Sequence, residues 1–264
     1  MRADEIIQYM ETLHDEEQRQ LLMRFFKTGP GEYGDGDEFL GLKVPQTREI
    51  VNHVWKDISL DEVSPLLLSR WHEVRLCGLL ILVAKFGKAS TKRLVHDPEA
   101  RRQREEILDM YLRYAERANN WDLVDLSAPK ILGAWLVLEG CCEETISTMD
   151  ALASSSNLWL QRISMVCTWA TSQSGDPTWC LRMAERHLRH PHDLMHKAVG
   201  WMLREMGKRV SMDILRDFLR RHIHEMHRTT LRYAIEKMSA DERHYWMVDA
   251  EQASAERSAA LWRP

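Results

Sequence analysis

Glycine and proline are scarce, at twelve and eight of 264 residues. Strand-rich folds use both at their many tight corners, and no run here alternates apolar with polar residues as a half-buried strand does. Extended sheet is therefore excluded as the main architecture. No window approaches the ~18 unbroken apolar residues of a membrane span. The charged, amphipathic opening MRADEIIQYMETLHDEEQRQ has no apolar h-region of a secretory leader. The five cysteines, Cys77, Cys141, Cys142, Cys167 and Cys180, form no CxxC pair, and the adjacent two suit neither an ordinary disulfide nor a zinc site. They are expected to be reduced thiols in a cytoplasmic protein.

Motifs for small-molecule chemistry are lacking as well. There is no Walker loop, no GxSxG elbow and no Cys–His nucleophile pattern. GPGEYG at 29–34 spells GxGxxG, but no strand precedes it, and Glu32, Asp35 and Asp37 would repel a phosphate. The stretch reads instead as a turn-rich link whose Phe39, Leu40 and Leu42 tuck into the first repeats. HIHEMH at 222–227 misses HExxH, since His224 and His227 are three apart, and the i, i+4 pair His192 and His196 lacks a third ligand. No metal site and no cofactor are expected.

What the chain has is helical periodicity. The segments 72–86, 106–120, 157–171, 193–208 and 228–238 place apolar residues at i, i+3 and i+4 spacing, and Pro45, Pro65, Pro98, Pro177 and Pro191 fall at expected helix junctions. The expectation is an all-α chain of about fifteen short helices. A basic residue precedes an apolar run at Arg162, Lys197 and Arg232, spaced by 35 residues each time. Arg75 has the same local grammar, and counting back 35 from Arg162 reaches Ser127. Such recurrence predicts a stacked, HEAT-like helical solenoid over residues 1–248, with 249–264 as a C-terminal tail. Equal spacing would line the three basic residues along one concave surface, unless each only snorkels beside its own helix. Residues 181–237 carry a balance of +6 with seven histidines, against −10 for the remainder, which allows one basic face on an acidic particle.

NNWDLVD at 119–125 carries the sharpest signal. Trp121 and Asp125 are four apart and share a helical face. Asn119 or Asn120 can cap the helix, and Asp122 in the first turn suits its dipole. Asp125 lies past that turn. It either pairs with a basic residue of the next repeat, such as Arg162, or does chemistry.

FFKTGPGEYGDGDEFLGLKVP, NNWDLVD, NLWLQRI and HKAVGWMLRE together resemble the AlkD-type DNA alkylation repair family of HEAT-like glycosylases, in the family's order and over roughly residues 20–240. The resemblance implies a solenoid whose basic concave face holds double-stranded DNA containing alkylated purines. It implies hydrolysis of the N-glycosidic bond of cationic N3- or N7-alkylated purines by a monomer, from the backbone side and without base flipping. The family's catalytic aspartate falls on Asp125, its tryptophans on Trp121 and Trp201, and its arginine on Arg162. Arg162, Lys197, Arg232, Lys208 and Arg209 are the expected DNA contacts. The rival expectations are a non-catalytic relative that binds distorted or branched DNA, and a protein-binding helical scaffold.

Overall fold

The computed structural model describes residues 2–248 and residue 250; the predicted tail from 249 otherwise lies outside the described residues. Helix follows helix, and among the described residues the only β feature is an isolated bridge between Glu38 and Trp71. The chain divides into two compact units, Met1–Leu132 and Gly133–Pro264.

The first unit runs through α1 (Ala3–Thr12), α2 (Glu16–Phe25), α3 (Val44–Val54), α4 (Leu60–Leu67), α5 (His72–Ala89), α6 (Pro98–Arg113) and α7 (Trp121–Ser127). Aspartates start two of them: Asp15 accepts from the Gln18 amide and Asp97 from the Ala100 amide, each satisfying an amide that has no partner within its helix. α5 is the axis of this unit, packed by α3, α4, α6 and α7. Its residues from His72 to Leu82 are all buried, which explains why it is apolar around nearly its whole circumference. Phe39, Leu40 and Leu42 are buried too, so the turn-rich link tucks these three side chains in, as the sequence predicts. Pro65 departs from expectation: it sits inside α4, not at its junction, where it removes one hydrogen bond near the helix's end.

The second unit continues with α8 (Leu132–Glu139), which begins one residue before the division, then α9 (Glu143–Ser154), α10 (Leu158–Val166), α11 (Trp169–Gln173), α12 (Thr178–His187), α13 (Asp193–Arg209), α14 (Met212–His222) and α15 (Arg228–Ala234), with helical residues again over 240–248. α13 is its axis, touched by α10, α11, α12, α14 and α15 and burying Met195, Val199, Met202, Leu203 and Met206. A Cβ at Gly200 would stand 2.4 Å from the Thr230 carbonyl oxygen; only glycine lets α15 lie so close to α13. All five cysteines are free thiols.

The period seen in the sequence resides in the helix starts. Asn120, Asn157, His192 and His227 begin α7, α10, α13 and α15, and each side chain accepts a backbone hydrogen, from Trp121, Trp159, Leu194 and Thr229 at 2.9, 2.8, 3.1 and 3.2 Å. The caps are spaced by 37, 35 and 35 residues. Five residues after them stand Asp125, Arg162, Lys197 and Arg232. The longer first interval moves the equivalent position from Ser127, where a count of 35 falls, to Asp125. Ser127 is buried, its hydroxyl donating to the Leu123 carbonyl.

Candidate functional site

α7 is only seven residues long, too short to hold itself in place, and its orientation comes from what surrounds it. At its start Asn120 is buried and caps the Trp121 amide. Trp121, half-buried, meets the Phe26 ring at 5.3 Å and the edge of Phe25 at 5.8 Å. Phe26 stacks on Phe39, and both lie against the His72 ring, Phe39 at 4.4 Å and Phe26 at 5.2 Å. Phe25, at the end of α2, is 62% exposed, so the aromatic cluster reaches solvent beside Trp121. Gly34 allows the loop to pass here: a Cβ would stand 2.5 Å from the Phe26 carbonyl oxygen.

Beneath the aromatics is a sealed ionic chain. His72, 2% exposed, places Nδ1 2.7 Å from Asp37 and Nε2 2.9 Å from Asp122. Asp37 also takes the Arg75 guanidinium, and Arg75 further donates to the carbonyls of Ser69 and Arg70 at 3.1 and 2.8 Å. Two carboxylates can only accept, so both nitrogens of His72 carry hydrogens and the ring is an imidazolium. Burial works against that charge, yet Asp122 and then Asp37 overcome it and raise the His72 pKa to about 9. Burial likewise opposes the Asp37 charge, and His72 and Arg75 hold its carboxyl below the usual range. One step along, the buried Glu73 carboxylate accepts the backbone hydrogens of Leu40, Gly41 and Leu42 at 2.9, 2.8 and 3.1 Å.

Asp125 is half-buried, one helical turn beyond Trp121 and on its face. Asp122 does more than favour the helix dipole: it is the tie between α7 and α5. Arg75, whose sequence context matches that of the repeating basic residues, is buried on Asp37 and so presents no charge to a binding surface. The loop glycines meet the chain's own carboxylates, Gly29 donating to Glu32 at 3.1 Å and Gly31 to Asp35 at 2.9 Å.

In the second unit Arg162 is 5% exposed and donates to the Leu194 carbonyl, 2.7 Å away at the start of α13. Lys197 and Trp201 follow on one stripe of α13, four apart and both half-buried; the Lys197 ammonium is 2.6 Å from Asp193. Arg232 is exposed on α15. Lys208 and Arg209 are not brought to this end. They close α13, roughly 16–18 Å along the axis from Lys197 at ~1.5 Å per residue, and Arg209 lies over the Trp169 ring at 5.1 Å with its Nε 3.2 Å from Glu205.

Histidines surround the start of α13. His192 and His227 accept through Nδ1 in their caps, and His190 accepts the His192 amide through Nδ1 at 3.0 Å while its Nε2 faces Gln161 at 2.7 Å. His196 donates from Nε2 to the His190 carbonyl at 2.6 Å and stacks on His227 at 3.9 Å. One ring nitrogen each of His192 and His196 is thus engaged by a backbone group. Burial lowers the pKa of His190 and His192, aided for His190 by the neighbouring His192 and His196. A ring whose Nδ1 accepts is neutral, so His192 presents Nε2–H without a charge.

Comparison with known proteins agrees with this architecture. The family model described as DNA alkylation repair enzyme matches residues 6–238. No curated protein matches the chain. Among solved structures, a predicted DNA alkylation repair enzyme from Enterococcus faecalis superposes with a TM-score of 0.67 at 14% identity, over 86% of this chain and 97% of that one. At such identity the likeness speaks for the all-α fold alone, while the family model spans both units from Ile6 to Met238. The chain belongs to the DNA alkylation repair enzyme family.

Proposed function

We propose that the protein is a DNA glycosylase that hydrolyses the N-glycosidic bond of cationic N3- or N7-alkylated purines in double-stranded DNA. The observation that carries this reading is the setting of Asp125: a carboxylate at the fifth position after the cap, where α10, α13 and α15 place Arg162, Lys197 and Arg232, on the face of a tryptophan whose aromatic neighbours reach solvent. A purine alkylated at N3 or N7 already carries positive charge and leaves without a general acid. The sugar it leaves develops oxocarbenium character. One carboxylate suffices to stabilise that charge and to orient water, unlike the two of ordinary glycoside hydrolysis. Indole faces favour a cationic transition state, which is the role assigned to Trp121 and Trp201.

Lys197 and Arg232 are assigned to backbone phosphates, whose contacts weaken as salt rises. Arg162, nearly enclosed and bonded to the Leu194 carbonyl, is assigned to orienting the start of α13, with its charge acting at short range. Excision proceeds from the backbone side, without extruding the base, so the charge of the lesion selects the substrate. The protein acts as a cytoplasmic monomer.

The test is release of free base from duplex containing N7-methylguanine or N3-methyladenine. Wild type releases it, and Asp125→Asn loses ~10²-fold or more, the scale of losing an electrostatic catalyst. Binding without release by either protein would replace the reading with a non-catalytic one.

A further inference from the structure

Trp121 and Asp125 sit on a two-turn helix, and what orients that helix determines where both point. Asp122 is the helix's polar tie. One of its oxygens meets His72 Nε2 at 2.9 Å; the other is buried and, among the described residues, has no hydrogen-bond partner. His72 in turn is gripped from the far side by Asp37, and Asp37 by Arg75. The ring of His72 is covered by Phe39 and Phe26, and Phe26 is also the ring under Trp121. One side chain thus touches α7 by two routes, a charged hydrogen bond through Asp122 and an aromatic contact through Phe26.

We propose that His72 is the positioning residue of this site: as an imidazolium between Asp37 and Asp122, it sets the rotation of α7 and with it the placement of Trp121 and Asp125. It touches no reacting atom and acts through Asp122. The cluster of Asp37, Asp122, His72 and Arg75 is electrically neutral as built. Removing the charge of His72 leaves Asp122 a buried carboxylate with no counter-charge and one oxygen still unsatisfied, a state that α7 relieves by turning Asp122 toward water. Asp125 is three residues further along the same short helix and swings with it.

This inference rests on the glycosylase reading for its catalytic readout, and a second readout separates the two. In His72→Gln, amide hydrogen exchange over 121–127 becomes at least ~10-fold faster while α9 to α15 keep wild-type rates. Single-turnover excision of N7-methylguanine at saturating protein falls by ~10–100-fold, the cost of about an ångström of misplacement, while duplex affinity changes less than threefold. The double variant His72→Gln/Asp122→Asn, with a neutral amide pair in place of the ion pair, returns excision to within about fivefold of wild type. Should His72→Gln not fold, Asp122→Asn carries the same comparisons with smaller changes.

Unchanged exchange over α7 in the variant overturns the proposal. So does a rate loss that the double variant does not restore, or one matched by an equal loss of duplex binding. If wild type releases no methylpurine, the glycosylase reading fails, and the exchange comparison still decides whether His72 positions α7.

Discussion

Replacing Glu73 by glutamine keeps size and shape and removes one charge, which isolates what that carboxylate does. Its two oxygens accept three backbone hydrogens, Gly41 and Leu42 on one and Leu40 on the other. Glutamine has one acceptor oxygen. If that oxygen serves Gly41 and Leu42, the amide NH2 faces the Leu40 amide, donor against donor in a buried place. That orphaned donor costs ~1–3 kcal/mol. The two remaining bonds fall from charge-assisted to neutral, a loss of ~0.5–1 kcal/mol each. Easier desolvation of the uncharged group returns part of this, leaving about 3 kcal/mol. At ~2–4 °C per kcal/mol for a chain of this size, the melting temperature drops by roughly 6–12 °C. The segment released is the one that carries Asp37 and Phe39 to His72, so hydrogen exchange in 37–43 should rise along with the drop. A melting temperature within ~2 °C of wild type would refute the account of Glu73 as the clamp on this loop.

Two further outcomes are expected. His187 is buried against Ser164, and burial, with His190 and Arg186 near it, lowers its pKa to about 4; the unfolded chain therefore takes up its proton first, and stability present above pH ~6.5 is lost as pH falls toward 4, by about 3 kcal/mol in all. Urea midpoints measured from pH 7 to 4 should show this acid limb in wild type and a flatter one in His187→Gln, and identical limbs would contradict it. Lys197→Gln should reduce the salt slope of duplex binding by about one while Lys208→Gln leaves it unchanged; the reverse order would put the DNA at the other end of α13.

Local signals carried much of the fold. α13 spans Asp193–Arg209 where the periodicity predicts 193–208, and α5 begins at His72 as predicted. The predicted helix over 106–120 ends at Arg113 and passes through a tight turn at Ala115–Arg117, because Asn120 must leave the helical conformation to cap α7. Likewise 157–171 breaks after Val166 and resumes at Trp169, a two-residue interruption that spacing of apolar residues does not encode. The Asp37–His72–Asp122 chain was illegible for a plainer reason: its members stand 35 and 50 residues apart, and nothing local to any of the three marks the other two as its partners. A trace did exist. His72, Glu73 and Arg75 are three ionisable side chains opening the most apolar stretch of the sequence, and a helix that is later buried all round must bury them with partners. Lys208 and Arg209 show the converse limit, since closeness in sequence to Trp201 hides most of a long helix axis between them and Lys197.

The neutrality of that buried foursome has a practical meaning for an enzyme that works on a polyanion. Mobile ions compete for any grip on phosphate, and they act only where water can carry them. With two positive and two negative groups closed off behind Phe26 and Phe39, the footing of Trp121 and Asp125 is insulated from the medium. On the reading proposed above, ionic strength would govern how long the protein stays on a duplex without altering how α7 is aimed once there.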